Sequence, residues 1–277
     1  MVPLPPSRRT LPPSRRVSDP PDPSLLQAEF ARAARGFAER TKGRFDGLDA
    51  VAFSRVKAGD VVAEVGAGTG AFLRLFEGVA RLRIALDLTY EMLDVCRRDD
   101  PEVQTVQADA VYLPLRSRSV DLMTSAQVLH HVFQPVPFVR EMRRAVTEEG
   151  HVLLVDQVAS ERYEEIAFMN ELEALRDPSH ATSRPPSALR MIVRAAGLDI
   201  IDEKIVSERS RLSKWMWPGE FPQERIDRVK DFIAGFGHET GMEFEPDGDD
   251  YIFTRRRIMI LAVRAPASGA TGFPTGH

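Results

Sequence analysis

Hydrophobic and polar positions alternate between two periods along this chain. Residues 24–41 (SLLQAEFARAARGFAERT) set Leu26, Phe30, Ala33, Phe37 and Ala38 near one face of a helix. Val61–Val65 is a short apolar run that ends in glycines, the pattern of a strand entering a turn. A helix is predicted near 70–79, a strand over 83–88, a helix over 90–98, and strands over 103–107 and 120–125. Residues 137–147 read as a helix ended by Gly150. A strand over 151–157 follows, then a helix over 161–176 with Tyr163, Ile166, Met169, Leu172 and Leu175 at steps of three. Ser187 is placed to cap a helix that stops at Gly197, and 200–206 and 251–263 are the last strands. Strands regularly separated by helices predict an α/β protein, a mostly parallel sheet with helices on both faces.

Composition fixes the boundaries of this pattern. Residues 1–23 contain eight prolines and four arginines and almost nothing to bury, so an unfolded, PPII-like tail is expected there. It has no apolar core of a signal peptide and is not amphipathic like a transit peptide. One domain is expected over 24–265, with insertions near 157–186 and 208–249 and a flexible tail over 266–277. The 37 basic and 41 acidic side chains give a net charge of −4, which argues against a surface built to hold nucleic acid. The single cysteine, Cys96, excludes an internal disulfide and a multi-thiolate metal or iron–sulfur site; no metal is expected. The longest clean apolar run, IMILAV at 258–263, is too short for a membrane span. These readings together predict a soluble cytoplasmic protein. They leave its oligomeric state open.

The candidate chemistry begins at EVGAGTG, residues 64–70. Glycines between a strand and a helix let the backbone turn tightly and approach a ligand. The spacing is GxGxG rather than the GxGxxG of nicotinamide enzymes, and Glu64 would repel a pyrophosphate while suiting a cationic group. Asp87 ends the second strand 21 positions after Gly66, placed to bind the two hydroxyls of a ribose. Met92 follows on the next helix, where its side chain can lie on an adenine face.

With these motifs in hand, the chain resembles the class I S-adenosylmethionine-dependent methyltransferases. EVGAGTG, LDLTYEML at 86–93, QADAVYLPLRSRSVDLM at 107–123 and SAQVLHHV at 125–132 occur in the family's order. The likeness is greatest to the small-molecule group that includes the ubiquinone and menaquinone C-methyltransferases, and it spans about 45–207. It implies a Rossmann-like, seven-stranded sheet whose last strand is antiparallel. It also implies S-adenosylmethionine as cofactor. Glu64, Gly66, Ala67, Gly68 and Gly70 would hold the methionine part, Asp87 the ribose, and Met92, Asp109 and Ala110 the adenine, with Leu88 among the cofactor contacts. Ser125, Ala126 and Gln127 would line the cofactor and face the acceptor.

Methyl transfer from a sulfonium needs alignment and a dry pocket, and a base only where the nucleophile loses a proton. His130 and His131, just past the fourth strand, and Asp156, at the end of the fifth, are the candidates. His180, in RDPSH, and Trp215 and Trp217, in WMW, are candidate acceptor contacts. The segment 208–249 holds six Lys/Arg and ten Asp/Glu, which favours a small, largely apolar acceptor over RNA. The arginine triple 255–257 reads as a solvated strand end. A protein or RNA methyltransferase and an inactive cofactor-binding regulator stand as alternatives; a nicotinamide oxidoreductase and an arsenite-type enzyme fit less well.

Overall fold

The structure is a computed structural model that describes residues 23–216 and 221–266. The expected tails over 1–23 and 266–277, except Pro23 and Pro266, and the candidate Trp217 lie outside the described residues. The chain runs through α1 (Pro23–Thr41), α2 (Ala50–Ser54), β1 (Val61–Val65), β2 (Leu82–Asp87), α3 (Tyr90–Asp99), β3 (Gln104–Gln107) and β4 (Val120–Ala126). It continues through α4 (Pro135–Ala145), β5 (Val146–Gln157), α5 (Tyr163–Arg176), α6 (Pro186–Ala195), β6 (Leu198–Arg211) and α7 (Leu212–Trp215). It ends with α8 (Gln223–Phe236), β7 (Glu245–Asp247) and β8 (Asp250–Arg264).

The strands form one sheet in the order β3-β2-β1-β4-β5-β8-β6. The first five are parallel, and β8, the last in the chain, runs antiparallel between β5 and β6. The expected seven strands are joined by an eighth, because β7 folds back on β8 as a short hairpin. All five residues of β1 are buried, as in a parallel strand covered on both faces. One face carries α4 and α6 with Phe138, Met142, Leu189 and Val193; the other carries Phe45, Phe72, Phe76 and Leu93. A third cluster, with Leu172, Trp215, Phe232 and Phe253, joins α5, α7 and α8 to the far half of β8.

Three local expectations change. The helix foreseen near 70–79 is only a 3₁₀ turn, Leu73–Phe76. The eleven residues from 71 to 81 must return along a five-residue strand, about 16 Å. An α-helix would use all eleven for about that rise and leave none for the turn into β2. Gly150 ends no helix: α4 stops at Ala145, and the chain enters β5 at once. β4 advances two residues where β5 advances five, between Val120↔Val146 and Leu122↔His151, and Gly150 sits in that bulge, where a Cβ would stand 2.5 Å from the Asp121 carbonyl. Ser187 lies inside the first turn of α6, and its N–H and hydroxyl both donate to Glu161 instead of capping the helix. No helix among the described residues is long and apolar enough to cross a membrane.

Candidate active site

The carboxyl ends of β1, β2 and β4 open onto a cavity of about 320 Å³. Its floor is the glycine turn. Gly66 has φ +71°, and a Cβ there would lie 2.4 Å from Val128 Cγ2. Gly70 has φ +79° and rests against Cys96, whose Sγ would be 2.7 Å from an added Cβ. Only glycine relieves both the conformation and the crowding. Asp87 braces the turn: one carboxylate oxygen accepts the Gly68 N–H at 2.8 Å and the other the Thr89 N–H at 2.8 Å. Asp87 also lines the cavity, where its carboxylate can accept from ligand hydroxyls. Burial raises the Asp87 carboxyl, against the pull of these hydrogen bonds.

Glu64 is 1% exposed at the bottom of the cavity, and its Oε2 is buried without a partner. Burial pushes its carboxyl well above the ordinary range, and the nearby Asp87 adds to the effect. An acceptor oxygen left in this state fits a ligand that brings a cationic donor. Met92 supplies an apolar wall, and Asp109 accepts the Val111 N–H to shape the loop beside it. Ala67, Gly68, Leu88, Ala110, Ala126 and Gln127 line the same cavity. The donor set thus matches S-adenosylmethionine: an orphan carboxylate for its ammonium group, an aspartate for its ribose and apolar walls for its adenine.

A family model described as "Methyltransferase domain" matches residues 63–154. The uncharacterized methyltransferase YcgJ of Bacillus subtilis is 30% identical over 254 residues, covering 87% of this chain and 98% of its own. The chain belongs to the S-adenosylmethionine-dependent methyltransferases. The crystal structure of a Bacillus halodurans protein assigned to the methyltransferases superposes with a TM-score of 0.74 at 23% identity, over 79% of this chain and 98% of the other. A demethylmenaquinone methyltransferase from Paenarthrobacter aurescens is 29% identical over 101 residues, 36% of this chain and 40% of its own.

Beside the cofactor cavity the methyltransferase has a second one of about 700 Å³. Phe30, Phe37, Thr41, Arg44, Gln127 and His131 line both. Gln127 holds the boundary in a left-handed conformation, φ +60°, rare for a residue with a side chain. Its Oε1 accepts from Arg44 at 2.9 Å, while its Nε2 is buried without a partner.

His130 lines the second cavity and is 6% exposed. Its Nδ1 lies 2.6 Å from Asp156, which also accepts the His130 and Gln157 backbone N–H groups. Burial alone would raise Asp156, but His130 and these hydrogen bonds leave it below the usual carboxylate range. Asp156 stands behind His130 and lines neither cavity. His131 borders both cavities, with Nδ1 3.1 Å from the Ser179 carbonyl. Burial, then the neighbouring His130, lowers it to about 4.

Several expected contacts fall elsewhere. His180 lines neither cavity: it packs beside His130, ring centres 5.9 Å apart, with Nε2 on Asn170 at 2.8 Å, and burial lowers it to about 3. Ser125 is buried under the cofactor cavity without lining it, and Gly70 shapes the turn from below. The arginine triple is no solvated strand end. β8 begins five residues before it, so Arg255 and Arg257 are inside the structure and line the second cavity. The roof formed by Phe30 and Phe37 escaped the sequence reading because their spacing marks a buried helical face, whether it meets core or cavity.

Trp215 both lines the second cavity and anchors the third core cluster. It is 5% exposed, 5.0 Å from the Phe253 ring centre and 4.6 Å from the Arg176 guanidinium carbon. Trp215→Ala is expected to cost about 3–5 kcal/mol in thermal or urea unfolding. Asp87→Ala is expected to weaken S-adenosylhomocysteine binding by about 1–3 kcal/mol in calorimetry, since a charge-assisted acceptor and the brace of the glycine turn go together.

Proposed function

We propose that this methyltransferase modifies a small molecule held in the second cavity, with His130 as the general base and Asp156 as its positioning residue. The observation that carries the reading is the shared wall: Gln127 and His131 border the cofactor cavity and the second cavity at once. An acceptor lodged in the second cavity therefore meets the cofactor across that wall. When bound, S-adenosylmethionine brings a methyl group already activated on a sulfonium, ready for in-line displacement. The chain's task is to align the acceptor, exclude water and, for an O–H or N–H nucleophile, remove a proton.

His130 suits the last task. Asp156 holds the proton on Nδ1, which leaves the Nε2 lone pair free to accept one. The Asp156 carboxylate also stabilises the imidazolium that forms, as in other aspartate–histidine pairs. His131 is held neutral by burial and serves as a wall. Phe30 and Phe37, from α1, give both cavities an apolar wall.

The test is incubation with methyl-labelled cofactor and a metabolite extract, followed by separation of low-mass, protein and RNA fractions. Label in a low-mass compound, formed by the wild type and lost in His130→Asn, supports the reading. Label confined to protein or RNA overturns it.

A further inference from the structure

The second cavity contains more positive charge than methyl transfer alone requires. Arg255 and Arg257 are two apart on β8, so they share one face of the sheet, and both line the cavity. Arg256 points the other way and donates to Glu243 and to the Gly241 carbonyl. Arg44 reaches the same space from the segment after α1.

Among the described residues, one carboxylate serves these three guanidinium groups. Glu208, opposite Arg255 on β6, lies 2.7 Å from Arg257 and 3.6 Å from Arg255. Arg44 donates to the neutral Gln127 amide, and no carboxylate lies within 4 Å of it among those residues. The Arg255 guanidinium has only the 3.6 Å approach of Glu208 and donates no hydrogen bond to the described residues. Arg257 is 3% exposed, yet its Nε is buried without a partner. A fourth guanidinium on the wall, Arg176, is answered by Glu173 at 2.8 Å and is outside this imbalance. Burial, then repulsion from Arg257, lowers Arg255 to about 10, as expected of like charges held together out of water.

Buried charge of this kind is costly unless something neutralises it. Guanidinium forks match the paired oxygens of a carboxylate or phosphate, to which they donate two parallel hydrogen bonds. We propose that the methyl acceptor carries a carboxylate or phosphate group, seated on Arg255 and Arg257 with Arg44 beside them. Its reactive end lies toward Gln127 and His131, and its apolar body lies against Phe30, Phe37 and Trp215. This rests on the reading of the second cavity as the acceptor chamber, and it narrows an apolar acceptor to one with an acidic end.

The full chain, saturated with S-adenosylhomocysteine, is titrated with benzoate, phenyl phosphate and benzyl alcohol in a calorimeter. At least one anion is expected to bind about tenfold or more tighter than the alcohol. The tighter of the two anions identifies the group. Arg255→Gln and, separately, Arg257→Gln are expected to erase the preference while S-adenosylhomocysteine affinity stays within about twofold, which shows that the variants are folded. Equal binding of alcohol and anions, or a preference that survives both substitutions, overturns the proposal. Loss of S-adenosylhomocysteine binding by the wild type would instead contradict the cofactor assignment beneath it.

Discussion

Gly66→Ala is expected to weaken S-adenosylhomocysteine binding by about 100-fold or more. Two effects act together. A side chain at φ +71° costs about 1–3 kcal/mol of backbone strain. The new Cβ also meets Val128 Cγ2 at 2.4 Å, and Val128 belongs to the cavity wall. The turn must therefore move away from Val128, and a shift of about 1 Å at a site that positions a ligand is enough for such a loss. Gly78→Ala is the control. Its φ is +73°, nothing lies within 4 Å of an added Cβ, and it is remote from the cavity. It is expected to lower the melting temperature through strain alone and to bind the ligand normally. Equal binding by the two variants would show that crowding at Val128 does not shape the site.

His130→Asn is expected to reduce turnover by about 10²–10⁴-fold with cofactor affinity unchanged. Asparagine keeps a donor for Asp156 but has no basic lone pair to offer the acceptor. Asp156→Asn is the companion. Its oxygen would keep the Nδ1 and Gln157 N–H bonds, which turns the NH2 group onto the His130 backbone N–H and removes the charge that stabilises the imidazolium. Turnover is expected to fall comparably, with recovery at higher pH if hydroxide relieves the need for a base. Wild-type rates in folded His130→Asn would mean that the acceptor needs no deprotonation.

Much of the first cavity's lining was legible because its signals are local. Three glycines, Glu64 and Asp87 lie on consecutive strand ends, and parallel strands bring their carboxyl ends to one edge whatever follows. The acceptor half depends on contacts far apart in sequence. Arg257 donates to the Arg44 carbonyl across 213 positions, and no local pattern announces that pairing. The arginine triple was misread although its strand was foreseen over 251–263: nothing local shows that α7 and the end of α1 close over that stretch and turn Arg255 and Arg257 into cavity wall. Gly150 misled for another reason. A glycine after a periodic apolar run looks the same whether it ends a helix or relieves a bulge. His180 carried the right chemistry, but Asn170 turns its ring into the interior.

The sulfur beneath the glycine turn gives the protein a built-in clock. Cys96 is the sole thiol of the chain, is wholly buried and abuts Gly70. Burial, with Glu64 and Asp100 adding to it, raises it to about 12. Alkylation needs both solvent access and a thiolate, so it proceeds only while the turn is open. Iodoacetamide labelling, read as one mass increment, thus times the opening of the cofactor floor without any engineered probe. Saturating S-adenosylhomocysteine is expected to slow that labelling in proportion to its occupancy, since a ligand bound only to the closed form withdraws molecules from the reactive one.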